Sequence, residues 1–126
     1  MSELVFLKLG GSLITDKLRF ETPRTVVIER MAREIHNALS ARPDLSLVLG
    51  HGSGSFGHFA ADRYKVHKGN LEDWRGYAET AAAAQRLNRL VVDAMLGVGV
   101  PVVSLQPSAS ARCSAGELVE LNLDPV

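Results

Sequence analysis

Leu4-Val5-Phe6-Leu7 and Leu45-Ser46-Leu47-Val48-Leu49 are short apolar runs, and each stops at a glycine-bearing loop: Gly10-Gly11 after the first, Gly50-His51-Gly52-Ser53-Gly54-Ser55 after the second. Runs of this length, ended by glycine, suit buried parallel strands better than helices. Between them Ile28, Met31, Ile35 and Leu39 recur at spacings of three and four, which predicts an amphipathic helix over residues 24–41. Thr22-Pro23 reads as an N-cap followed by proline in the first helical position, and Arg42-Pro43-Asp44 as the turn beyond. A strand, helix, strand order implies a parallel pair joined by a right-handed crossover. Both glycine loops are then expected at the carboxyl edge of the sheet, where they can share one ligand.

Further along, Asn70 is placed to cap a longer helix running to Leu96, with Ala81, Ala84, Leu87, Val91 and Ala94 as a stripe of mostly small residues. Such a stripe is either plain core packing or one wall of an apolar slot. Gly97 and Gly99 end the helix, and Pro101-Val102-Val103-Ser104-Leu105 reads as a third buried strand leading to Gln106-Pro107-Ser108. Ala115-Gly116 then suggests a hairpin and Asp124-Pro125 a final turn. The fold class expected from this order is α/β with a mostly parallel sheet.

A chain of 126 residues with 46% hydrophobic and 22% charged content matches one ordinary globular domain. Fourteen basic residues balance fourteen acidic ones, so no large field attracts nucleic acid or an anionic membrane, and neither is expected as a partner. Any anion has to be held by local geometry. The single Cys113 cannot form an internal disulfide and is expected as a small buried apolar residue rather than a nucleophile. No charged leader opens the sequence, and no apolar run approaches the roughly 20 residues that span a bilayer, so a cytoplasmic location is expected.

Two groups of residues carry chemistry. In Lys8-Leu9-Gly10-Gly11-Ser12 a lysine ends a strand ahead of two glycines and a hydroxyl. Glycines let backbone N–H groups approach an anion closely, and a lysine there can neutralise charge developing on a transferred phosphoryl group. Lys17 can deliver a second charge; the alternative is a tight turn flanked by solvated lysines. Lys8 is read as pointing inward. The second group runs from Gly50 to Ser55 and on through Phe56-Gly57-His58, a pattern suited to holding phosphate on backbone amides at a helix start. His58 can donate to that phosphate, whereas His36 and His67 read as ordinary surface or satisfied core histidines.

Gly52-Ser53-Gly54-Ser55-Phe56-Gly57 also matches the G-x-G-x-x-G dinucleotide pattern literally. That pattern needs a second strand ending in an acidic residue about 20 residues on, to grip a ribose. Glu72 and Asp73 stand at that distance but open a helix, with no apolar strand before them, so the dinucleotide reading is disfavoured. The absence of G-x-x-x-x-G-K-[ST] likewise disfavours a P-loop nucleotidase.

With both loops in view the sequence resembles the amino acid kinase superfamily, whose members begin with a K-x-G-G-S strand-loop and carry a second glycine-rich loop. Within that superfamily it resembles the isopentenyl phosphate kinases. The resemblance rests on Lys8 to Ser12, Ile14-Thr15-Asp16-Lys17, the Gly-Ser-Phe-Gly-His ending at His58, Tyr64-Lys65-Val66-His67-Lys68-Gly69, and Val103-Ser104-Leu105-Gln106-Pro107-Ser108. It implies a three-layer α/β/α fold, an ATP- and Mg²⁺-dependent transfer of the γ-phosphoryl group to isopentenyl phosphate, and a homodimer. Carried onto this chain, Lys8 and Lys17 would stabilise the transferring group. Gly10, Gly11 and Ser12 would contact ATP phosphates, His58 would hold the acceptor phosphate, and Gly52, Ser53 and Gly57 would line the junction between the two. The small-residue stripe would border the isoprenoid tail if it is a slot.

Members of the family are considerably longer, so the resemblance implies that residues 1–126 form an amino-terminal, acceptor- and phosphate-binding part, truncated before the nucleotide-binding part. A fosfomycin-, acetylglutamate- or uridylate-type kinase, or a non-catalytic phosphate-binding module, are the alternatives. These 126 residues by themselves are expected to give no turnover of ATP and isopentenyl phosphate in a coupled assay; measurable product would contradict that expectation.

Overall fold

The computed structural model describes residues 2–66 and 73–126. The first apolar run forms strand β1 (Glu3–Leu9) and the second β2 (Leu45–His51), paired in parallel with Glu3 opposite Leu45 and Leu9 opposite His51. Both outrun the apolar stretches because the ladder continues through Lys8 and Gly50, where backbone groups pair whatever the side chain. A one-turn helix α1 (Gly11–Ile14) follows β1, and the crossover helix α2 (Thr25–Ala41) leads back to β2 with Ile28, Ala32 and Ile35 buried.

Thr22-Pro23 does not cap α2, contrary to expectation. Thr15 and Pro23 form an isolated antiparallel bridge, the Asp16 N–H donates to Thr22 O at 2.9 Å, and the Arg24 N–H donates to Ile14 O at 2.8 Å. Backbone engaged in this way is extended, so the helix starts only after it, with Arg24 in the N-cap position.

Helix α3 (Gly54–Arg63) begins inside the second glycine loop, and α4 (Trp74–Gly97) packs against both α3 and α2. Asp73 caps α4, accepting the Arg75 N–H at 2.8 Å on its carboxylate; the expected cap Asn70, like His67, lies outside the described residues. Because α4 faces two helices, its buried line is Ala83, Leu87, Val91 and Met95, at spacings of four, while Ala81, Ala84 and Ala94 are half-buried. Leu87 and Val91 meet the expectation; the rest of the stripe is rotated. Leu9, Ile14, Phe56 and Val100 join these side chains in one core, and each large side chain fully withdrawn from water contributes about 1.5–3 kcal/mol.

The core lies on one face of the sheet, where Leu47 and Leu49 pack. The other face is open: Phe6 is 70% exposed and Leu4 54%. Residues 101–105 are not the buried strand that their apolar character suggested. They pair with neither β1 nor β2, and Val103 is 82% exposed. An apolar run is buried only when a neighbour covers it, and among the described residues no strand lies beside this one.

The hairpin is present. Strands β3 (Ala111–Ser114) and β4 (Glu117–Leu121) are antiparallel and joined by Ala115 and Gly116 at φ 50° and 82°, the left-handed pair that a two-residue turn requires. A turn also closes at Val126, whose N–H donates to Leu123 O at 2.9 Å. Cys113, expected inside, is exposed on β3, in a hairpin whose two strands are exposed from Arg112 onward. No helix among the described residues is long and apolar enough to cross a membrane.

The open sheet face should make the 126-residue chain self-associate. Size-exclusion chromatography is expected to show species larger than a monomer, reduced when Phe6→Lys and Leu4→Lys place charge on that face; a monodisperse wild-type monomer would contradict this.

Candidate phosphate-binding site

The parallel register brings the two glycine loops together, because β1 and β2 end side by side at Leu9 and His51. The contact is backbone on backbone. A Cβ at Gly11 would lie 2.5 Å from the Gly54 nitrogen, and one at Gly52 would lie 2.6 Å from the Gly11 nitrogen, so no other residue fits at either place. Gly54 adds a φ of +48°, and a Cβ there would collide with the Thr15 hydroxyl. Gly10, in contrast, has open space around its Cα.

A buried polar knot locks this contact. Thr15 Oγ1 donates to Gly11 O at 2.7 Å and accepts the Ser55 N–H at 3.0 Å, with Thr15 and Ser55 both fully buried. Ser55 Oγ in turn accepts the Thr22 N–H at 3.1 Å. The threonine of the first loop thus satisfies a first-turn amide of α3, work that an N-cap side chain normally performs; Ser53, in the N-cap position, makes no such bond. In the first turns of α1 and α3, the N–H groups of Gly11, Ser12 and Gly54 have no intrahelical acceptor, which is the resource an anion uses.

The candidate side chains are spread over β1, α1, α3 and the turn between α1 and α2. Lys8, expected to point inward, is exposed: it lies on the open sheet face opposite Gly50. There it borders a shallow concavity of about 280 Å³ together with Phe6, Val48 and His51. His58 is exposed on α3, four residues after Gly54 and therefore on the same helical face. Ser12 is exposed and Ser53 half-buried, while Gly57 is buried against Ser53, where a Cβ would lie 2.5 Å from Ser53 Oγ.

Lys17 sits apart, exposed on a turn in which Asp16 Oδ1 accepts the Leu18 N–H at 3.1 Å. That turn is nevertheless stapled to the second loop. The Glu21 N–H donates to Ser55 O at 3.4 Å, and Phe20 meets Phe59, the neighbour of His58, edge-on at 5.9 Å between ring centroids. Glu21 also holds Arg86 of α4 in a two-point ion pair, and its hydrogen bond pushes the Arg86 guanidinium above its ordinary pKa.

One further polar group, centred on His51, lies at the start of the second loop. His51 Nδ1 lies 3.0 Å from Gly52 O, His51 Nε2 lies 3.0 Å from Asn88 Nδ2, and Ser104 Oγ donates to Asn88 Oδ1 at 2.6 Å. The histidine was visible inside the glycine run, but its partners come from α4 and from residues 101–105, which no local pattern connects to it.

An amino acid kinase family profile matches residues 3–125, almost the whole length. The chain belongs to the amino acid kinase family. It is 41% identical over 125 residues to an isopentenyl phosphate kinase of Methanothermobacter thermautotrophicus, covering 91% of this chain and 44% of that protein. It is 30% identical to an isopentenyl phosphate kinase of Arabidopsis thaliana, covering 80% of this chain and 41% of the relative. A solved isopentenyl phosphate kinase superposes with a TM-score of 0.82 at 41% identity, over 98% of this chain and 52% of that one. A product complex of the Thermoplasma acidophilum isopentenyl phosphate kinase gives 0.73 at 34% identity, over 93% of this chain and 47% of that one. The chain therefore spans about half the length of the relatives it matches. Its α/β architecture with a parallel sheet is the one those structures share.

If the glycine contact and the Thr15 knot organise the site, both should be sensitive to small changes. Gly52→Ala is expected to destabilise the chain by about 1–3 kcal/mol through overpacking, and Thr15→Val by about 1–3 kcal/mol through the unsatisfied Ser55 N–H. Urea denaturation measures both, and wild-type midpoints would refute the account.

Proposed function

We propose that residues 1–126 are the amino-terminal, acceptor- and phosphate-binding part of an isopentenyl phosphate kinase, which transfers the γ-phosphoryl group of ATP to isopentenyl phosphate and yields isopentenyl diphosphate. The observation that carries the reading is the backbone contact of Gly11 with Gly52 and Gly54, which joins two amide-rich loops in one site. The similarity to isopentenyl phosphate kinases supports the choice of acceptor.

Phosphoryl transfer needs little covalent help from protein; it needs the donor and acceptor held in line and the charge on the transferring group offset. The amides of Gly10, Gly11 and Ser12 suit the phosphates of ATP, and the glycines leave room for that close approach. Gly52, Ser53 and Gly57 serve the junction between the two phosphates. Lys8 contributes charge from the strand end, and Lys17 adds a second positive charge from the stapled turn. His58, sharing a helix face with Gly54, donates to the acceptor phosphate. Mg²⁺, when bound, supplies charge neutralisation on the β- and γ-phosphates. The working unit in this reading is a cytoplasmic homodimer.

The complete kinase, incubated with ATP, Mg²⁺ and a panel of small phosphates and carboxylates, should turn over isopentenyl phosphate; turnover of a carboxylate alone would overturn the assignment. His58→Ala should raise the acceptor KM, with kcat/KM falling roughly 30-fold, the equivalent of about 2 kcal/mol for one charged hydrogen bond. Lys8→Ala should depress kcat far more than either KM, because charge aimed at the transition state adds little to ground-state binding. A change confined to the KM for ATP would remove Lys8 from that role.

A further inference from the structure

His51 follows the last apolar residues of β2 and opens the second glycine loop, yet the roles set out above leave it unused. Its surroundings dictate its chemistry. Gly52 O can only accept, so the contact at 3.0 Å requires a proton on His51 Nδ1. In the neutral ring Nε2 is then an acceptor, which matches the Asn88 amide nitrogen 3.0 Å away. With its nitrogen committed as donor, Asn88 keeps Oδ1 as acceptor, and Ser104 fills it at 2.6 Å. Each donor in the row meets an acceptor. A ring carrying both protons would face the Asn88 NH₂ group donor to donor and force the amide to turn over.

The row ends on a peptide of the candidate site. The Gly52 N–H donates to Leu9 O at 2.9 Å, and the Gly52 carbonyl is held by His51, so this residue is fixed on both sides. In a trans peptide the C=O and the following N–H point in opposite directions. Drawing the Gly52 carbonyl to the imidazole therefore turns the Ser53 N–H away from it, and that N–H has no acceptor among the described residues. Ser53 borders the point where Gly52 packs on Gly11.

We propose that His51, held in its Nδ1–H form by Asn88 and Ser104, is a positioning residue that aims the Ser53 amide at the phosphate being transferred. The inference rests on the kinase reading above. It adds a connection: α4 and residues 101–105, which hold no candidate catalytic group, set the aim of the second glycine loop through one imidazole.

Two measurements on the complete kinase test it. Nitrogen-15 NMR of labelled histidine, with His51→Gln used for assignment, should show His51 protonated on Nδ1 and bare on Nε2; the reverse tautomer overturns the inference. Steady-state kinetics should show His51→Ala lowering kcat roughly tenfold to a hundredfold, the size expected when a positioned group is misplaced by about an ångström. His51→Gln should restore most of that rate, because its amide offers a donor for Gly52 O and an acceptor for Asn88. The inference fails if His51→Ala matches wild type, or if the Ala and Gln variants lose rate equally while retaining wild-type thermal midpoints. Failure of the kinase reading looks different: the wild-type protein then leaves isopentenyl phosphate untouched before any variant is made.

Discussion

Everything at the candidate site depends on one steric fact, that two backbone segments meet where no side chain fits. Gly11 and Gly52 touch across the ends of adjacent parallel strands, and Gly54 turns beneath them at φ +48°. The contact is possible because the α2 crossover makes β1 and β2 parallel, so both loops leave the sheet at one edge. An antiparallel pairing would have sent them to opposite ends. Fold and site are therefore tied by register: Leu9 opposite His51 sets the height at which the glycines meet.

Bare glycine loops are costly to order, since glycine loses more backbone freedom on folding than any other residue. The structure offsets that cost with buried hydrogen bonds rather than apolar area. Thr15 serves the first loop and the second at once, Ser55 binds the strap ahead of α2, and Glu21 couples the same strap to Arg86 on α4. The polar atoms are satisfied in place, with no buried side-chain nitrogen or oxygen lacking a partner among the described residues. Such a network suits phosphoryl transfer, where most of the rate comes from groups already in position.

The helices cover one face of the two-stranded sheet and leave Leu4 and Phe6 in water on the other. Residues 101–105 run largely exposed, with only Val102 packed on the core, because among the described residues no strand lies beside them. Lys8 projects on this open face, beside Phe6 and Val48.

Much of this was legible in the residues themselves. Strand length and glycine stops placed β1 and β2, the three-and-four spacing of Ile28, Met31, Ile35 and Leu39 placed α2, and Ala115-Gly116 placed the hairpin. All of these are local signals, set by sterics and periodicity within a few residues. Only the tertiary structure decided which groups satisfy one another across the chain. Thr15 reaches Ser55 across 40 residues, Thr22 reaches Ser55 across 33, and His51 reaches Asn88 across 37. The start of α2 moved past Thr22-Pro23 because that backbone was claimed by the bridge to Thr15 and by Ser55, and residues 101–105 stayed largely exposed because among the described residues no strand lies beside them. Hydrogen-bond partnership and burial are properties of what lies next to a residue in space, and local spacing does not encode that.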